Sequence, residues 1–254
     1  MTASIRIGMV LFWMLVAEQA SAIVGGGSAA PETIGRAVVT VVGSRGNFCS
    51  GALVAPDLVL TAAHCVMAEA TYKVVDYNTG SAPTLIDVQK LAVHPSFSLQ
   101  TLLGHRATAD IALLWLRSKP SGKAQVQLGL PQSPIQVGSR FTVVGVGVAV
   151  RGDGRSGGVV RAASLVATGQ PGTLQIRLVD ALTQGGREGL GACTGDSGAP
   201  VFEDRNGTSA VVGVVSWSTG ANNSAGCGGL TGVTPLTLYR DWIVQTARSW
   251  GAKM

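Results

Sequence analysis

Charged side chains are scarce in this chain, 13% of 254 residues, and aromatics are scarcer at 5%, with three histidines and four cysteines in all. Low charge beside 46% hydrophobic content excludes an intrinsically disordered chain. Glycine is abundant, 35 residues, but follows no three-residue period, which excludes collagen and points to many tight turns. No run of lysine or arginine occurs. The densest basic stretch, Arg151, Arg155 and Arg161, sits among glycines and reads as a solvated loop. The net charge of +5 is therefore a solubility term and predicts no nucleic-acid partner. No cysteine pair has the C-x2-C spacing of a zinc site, so no metal is expected.

Long hydrophobic runs are missing too. The most apolar segment, Ile7 to Ala17, has eleven residues, and about 16 Å of helix covers roughly half a bilayer core. Arg6 precedes it, Glu18 and Gln19 follow, and Ala20-Ser21-Ala22 closes it as an A-x-A cleavage site. Residues 1–22 are thus read as a signal peptide, with the exported chain starting at Ile23 and no membrane association after processing. Export makes the protein extracellular, or periplasmic in a Gram-negative cell. In an oxidising compartment Cys49, Cys65, Cys193 and Cys227 are expected to form two disulfides, for which sequence leaves three connectivities open.

Short β-rich runs alternate with turn residues along 23–254: Ala37–Val42, Leu58–Leu60, Lys73–Val75, Ile111–Leu116, Phe141–Val148, Leu174–Leu178 and Ala210–Ser216. The pattern is all-β and antiparallel. Ser118 to Arg140, with Pro120, Gly122, Pro131 and Pro134, reads as a connector between two halves. Leu236, Tyr239, Trp242, Ile243 and Ala247 recur at helical spacing and predict an amphipathic terminal helix.

Three segments carry the chemistry. Thr61-Ala62-Ala63-His64-Cys65 sets a histidine beside a cysteine, Ala109-Asp110-Ile111 sets an aspartate at the mouth of an apolar strand, and Cys193-Thr194-Gly195-Asp196-Ser197-Gly198 sets a serine in a glycine-rich turn. Each alone has an ordinary packing or turn explanation. Their conjunction follows the order His, Asp, Ser of one convergent catalytic triad, and the segment Ile23-Val24-Gly25-Gly26 accompanies it.

On these residues the chain resembles the trypsin/chymotrypsin family of serine endopeptidases over essentially all of 23–254. Val93-His94-Pro95-Ser96-Phe97, Gly145-Val146-Gly147 and Ser216-Trp217 are similar to further family segments. The resemblance implies two antiparallel six-stranded β-barrels and a C-terminal α-helix, barrel one spanning about 23–130 and barrel two about 131–254. It implies Cys49–Cys65 and Cys193–Cys227 disulfides. His64, Asp110 and Ser197 are the implied catalytic residues, and the N–H groups of Gly195 and Ser197 the oxyanion hole. Asp196 is the implied partner of a new ammonium, supplied here by Ile23 directly after signal cleavage, since Ala22 is not a basic activation site.

Substrate-binding positions carried over from the family are Gly191, Ala192, Ser216, Trp217, Ser218 and Gly232. Gly191 stands at the pocket floor where an aspartate would select basic side chains, so an uncharged P1 residue is expected. The loop from Ser218 to Gly226 before Cys227 is longer than the family pattern, and Ala199 replaces a glycine after the serine. The expected partner is a protein or peptide substrate, the expected state a monomer, and no cofactor is called for. An inactive binding protein on the same fold and an esterase-type serine hydrolase remain as alternatives. An α/β-hydrolase is disfavoured by triad order and by the lack of a G-x-S-x-G elbow at Ser197.

Overall fold

The computed structural model describes residues 23–253 apart from 68, 77–82, 133, 170–173 and 206, so the signal-peptide assignment to 1–22 lies outside the described residues. The strands are β1 (Ser28–Ala29), β2 (Val38–Gly43), β3 (Phe48–Ala55), β4 (Leu58–Thr61), β5 (Tyr72–Asp76), β6 (Thr84–Val93) and β7 (Ala112–Leu116), followed by β8 (Arg140–Gly145), β9 (Arg161–Ala167), β10 (Ile176–Val179), β11 (Pro200–Arg205), β12 (Thr208–Ser218) and β13 (Thr231–Pro235).

The first half closes as a barrel in the order β2-β3-β4-β7-β6-β5, and every adjacent pair is antiparallel. The second half runs β9-β10-β13-β12-β11-β8 and closes through the pairing of β8 with β9, leaving β1 as a short addition on β9. Two closed six-stranded antiparallel barrels with a short terminal helix are the architecture expected from the sequence. Closure removes the unpaired edges that would otherwise invite aggregation.

Each barrel is filled by its own side chains. Val41, Leu53, Val59, Val74 and Leu114 pack inside the first, and Phe141, Leu165, Leu178, Val201 and Val233 inside the second. A third cluster joins Leu58 and Leu60 to Val144, Phe202 and Val214, and thereby welds the two barrels. Each fully buried aliphatic or aromatic side chain of this kind stabilises by about 1.5–3 kcal/mol.

The C-terminal helix, Arg240–Trp250, buries Ile243 and Ala247 against that shared cluster. His94, after β6, packs its ring 5.0 Å from Tyr239 and 4.9 Å from Trp242, and burial lowers its pKa. It anchors the helix to the first barrel. Cys49–Cys65 and Cys193–Cys227 are disulfide-bonded, the pairing the family resemblance implies. Among the described residues no helix is long and apolar enough to cross a membrane.

Candidate active site

His64 lies in a 3-10 turn, Ala63–Val66, that follows β4 directly. The disulfide from Cys65 to Cys49 on β3 holds this turn against the barrel. Asp110 lies just before β7, which pairs with β4 through Thr61↔Ala112. That register brings the two side chains together: His64 Nδ1 is 2.8 Å from Asp110 Oδ2, and the His64 backbone N–H donates to Oδ1 at 3.0 Å. Asp110 is fully buried. Nδ1 donating to a carboxylate puts the neutral ring's proton on Nδ1 and leaves Nε2 as the basic nitrogen. Ser216 reaches the same carboxylate from the second barrel, its Oγ donating to Oδ2 at 2.5 Å. Asp110 therefore has three donors, which a buried carboxylate requires.

Ser197 sits on the turn between Cys193 and β11. Gly195 (φ +93°) and Gly198 (φ +78°) take the left-handed conformation there, and a Cβ on Gly195 would run into the Phe48 ring. The turn is fastened from both sides. Gly198 N donates to Val215 O at 2.7 Å, and Ser50 N on β3 donates to Ser197 O at 2.8 Å. The N–H groups of Gly195 and Ser197 donate to no acceptor among the described residues. Ser197 Oγ and His64 Nε2 form no hydrogen bond with each other among the described residues, and Nε2 lies 3.9 Å from Cys65 Sγ. Such contacts often tighten only when substrate binds.

Asp196 is fully buried. Its Oδ1 accepts from Gly147 N and its Oδ2 from Cys193 N, both at 2.9 Å. Gly145 and Gly147 leave room for this carboxylate that a Cβ would fill. Burial raises its pKa to about 7 against the opposing pull of the two N–H donors. Among the described residues no cation neutralises it. Ile23 is fully buried in the second barrel's core with Ala192 and Ala199, which flank the same turn, and Val24 bridges to Gly191. The methyl of Ala199 packs into that core.

The positions expected to bind substrate divide. Gly191 packs its backbone against Gly228, and Ala192 is buried with its N–H donating to Thr231 Oγ1. Neither brings a charge. Asp180, nearby in sequence, has both carboxylate oxygens occupied by the N–H groups of Leu182 and Leu190. Ser218 is half-buried, its Oγ directed at Gly226 O across the longer loop. Gly232 lies under the Trp217 indole, with no space for a Cβ.

Sequence reasoning missed Ser50. This buried residue donates from Oγ to Gly195 O at 2.8 Å, accepts at Oγ from Val146 N at 3.0 Å, and offers its carbonyl to Thr61 Oγ1 at 2.8 Å. A serine after a cysteine in a strand carries no local signal for such a role.

Comparisons with known proteins identify the family. A profile of the trypsin family, described as Trypsin, matches residues 23–243. A vitellin-degrading protease of Bombyx mori is 32% identical over 81% of this chain and 78% of its own length. Trypsin 5G1 of Aedes aegypti is 29% identical over 92% of this chain and 88% of its own. A solved structure of a protein designated HBP superposes with a TM-score of 0.67 at 25% identity, covering 89% of this chain and 97% of that one. The chain belongs to the trypsin family of serine proteases.

Proposed function

We propose that the chain is an exported serine endopeptidase that cleaves after uncharged residues and becomes active when residues 1–22 are removed. The observation that carries the proposal is the Asp110–His64 pair at the junction of the barrels, with Ser197 on a turn tied to both. Ser197 Oγ attacks the scissile carbonyl while His64 Nε2 takes its proton. The tetrahedral oxyanion is held by the N–H groups of Gly195 and Ser197, each donor being worth about 2.7–4 kcal/mol. His64 returns the proton to the leaving amine, and water, deprotonated by the same imidazole, releases the acyl group. Asp110 keeps the ring oriented and stabilises the imidazolium. The small, uncharged Gly191 and Ala192 support an uncharged P1 side chain. The apolar run with its A-x-A site, together with two disulfides, supports export.

Incubating the chain starting at Ile23 with a reduced, unfolded protein tests the reading. Internal cleavage after uncharged residues is expected, whereas turnover of esters without cleavage of protein would leave an esterase. A second expectation concerns Ser50. Ser50→Ala leaves Gly195 O without its donor and Val146 N without its acceptor, and one unsatisfied buried group costs about 1–3 kcal/mol. A fall in kcat of about tenfold, with KM little changed, is expected in steady-state kinetics.

A further inference from the structure

Trp217 follows on the same strand the serine that donates to Asp110. Pairing of β12 with β11 ends at Val214, while its pairing with β13 continues to Ser218. One edge of Ser216–Ser218 is thus open to an extended peptide, a ready template for strand addition. The indole next to that edge is not bare. The ring of His105 stacks on it with centroids 4.6 Å apart and planes at 18°, and Arg177 lies over the ring at 5.6 Å. His105 is exposed and adopts a left-handed backbone (φ +51°), uncommon outside glycine. That conformation is held by its N–H donating to Leu102 O at 2.8 Å and by Arg177 donating to its carbonyl at 3.4 Å. Gly232 seats the indole, since any larger residue there would displace it.

Arg177 spends only part of its donor set. Nε donates to the buried Gln175 and one terminal nitrogen to His105 O, and among the described residues no carboxylate pairs with it. Arg106, exposed, follows His105. A substrate laid along Ser216–Ser218 therefore meets a guanidinium and an imidazole where an open aromatic surface would otherwise take an apolar side chain. Resting on the cleft assigned above, we infer that the Arg177–His105–Trp217 stack is a specificity-determining element that selects an acidic side chain upstream of the scissile bond and disfavours a large apolar one. The guanidinium keeps free N–H groups to bind a carboxylate, a charge-assisted contact stronger than a neutral one.

The test uses the chain starting at Ile23 and fluorogenic peptides differing only at the second to fourth residues upstream of the cleaved bond, with Glu, Leu or Lys in turn. Glu is expected to raise kcat/KM about tenfold over Leu, and further over Lys. Arg177→Ala should abolish the preference, Arg177→Glu should turn it toward Lys, and His105→Ala should raise turnover of the Leu peptide by baring the indole. Turnover of a small ester with nothing upstream should be the same in all variants, which establishes that they fold. Calorimetric binding of the same peptides to Ser197→Ala reads affinity without chemistry. Equal affinity for Glu, Leu and Lys peptides overturns the inference, as does a preference that survives Arg177→Ala. Glu-selective binding to Ser197→Ala with no cleavage by the intact chain supports the acidic subsite and removes the protease reading alone.

Discussion

Replacing Ser197 with alanine is expected to lower kcat by about 10⁶-fold while leaving stability nearly unchanged. Among the described residues the hydroxyl makes no hydrogen bond, whereas the backbone of the turn is held by Ser50 N to Ser197 O and by Gly198 N to Val215 O. Deleting one oxygen removes the proposed nucleophile and leaves those ties intact, so a melting curve should overlay that of the parent chain. His64→Ala should cost about as much in kcat, and the double variant little more, because the two residues act as one unit and their effects do not add. Asp110→Asn should cost about 10⁴-fold. Its amide has one acceptor oxygen, so it cannot serve both the His64 N–H at Oδ1 and the Nδ1 and Ser216 Oγ donors that share Oδ2. With the amide nitrogen turned to the ring, Nδ1 must accept and the imidazole is left in the wrong tautomer. Steady-state kinetics beside thermal melts of the four variants separate these losses from unfolding.

The second large effect concerns the N-terminus. While residues 1–22 remain attached, Ile23 has no ammonium to offer Asp196, and burial pushes that carboxyl's pKa to about 7. A raised carboxyl pKa favours the folded state in its protonated form. The contribution is complete below the ordinary value of about 4 and is lost as pH rises through about 7. The loss amounts to about 4 kcal/mol, or on the order of 10 °C in melting temperature for a chain of this size. The extended chain should therefore melt lower at pH 8 than at pH 5 and show little activity at either.

Processing reverses the sign. In the proposed processed form the Ile23 ammonium stands beside Asp196, which is then ionised at neutral pH and favourably paired. That pair is lost only as the amine gives up its proton, above its ordinary value of about 8. Activity of the chain starting at Ile23 should hold through neutral pH and fall on the alkaline side. Calorimetry and a pH–rate profile on the two forms check both statements.

The candidate site was legible in the sequence because its motifs are local. His64 beside Cys65, Asp110 before an apolar strand and Ser197 between glycines each declare themselves within a few residues. What escaped depends on contacts between distant segments. Ser50 meets Gly195 across 145 positions, and Arg177 meets His105 across 72. The strands follow the same division. β7 and β12 show apolar runs bounded by polar residues and were readable nearly to their ends.

β3 (FCSGALVA) buries almost every side chain, so it lacks the alternation that marks a half-exposed strand. β13 (TGVTP) is wholly buried yet carries the glycine and proline of a turn. The run Phe141–Val148 reads as one strand, but β8 stops at Gly145 because the next backbone donors serve other acceptors: Val146 N goes to Ser50 Oγ and Gly147 N to Asp196. Hydrogen bonds to distant segments end that strand where its own propensity would continue it.

The central claim is that Ser197 is a nucleophile assembled only once Ile23 is free. Fluorophosphonate labelling with mass mapping of the modified residue, run on the chain starting at Ile23 and on the chain still carrying residues 1–22, tests it most directly. A single adduct on Ser197 is expected in the processed chain and none in the extended one. A folded, processed chain that takes no label at Ser197 would contradict it.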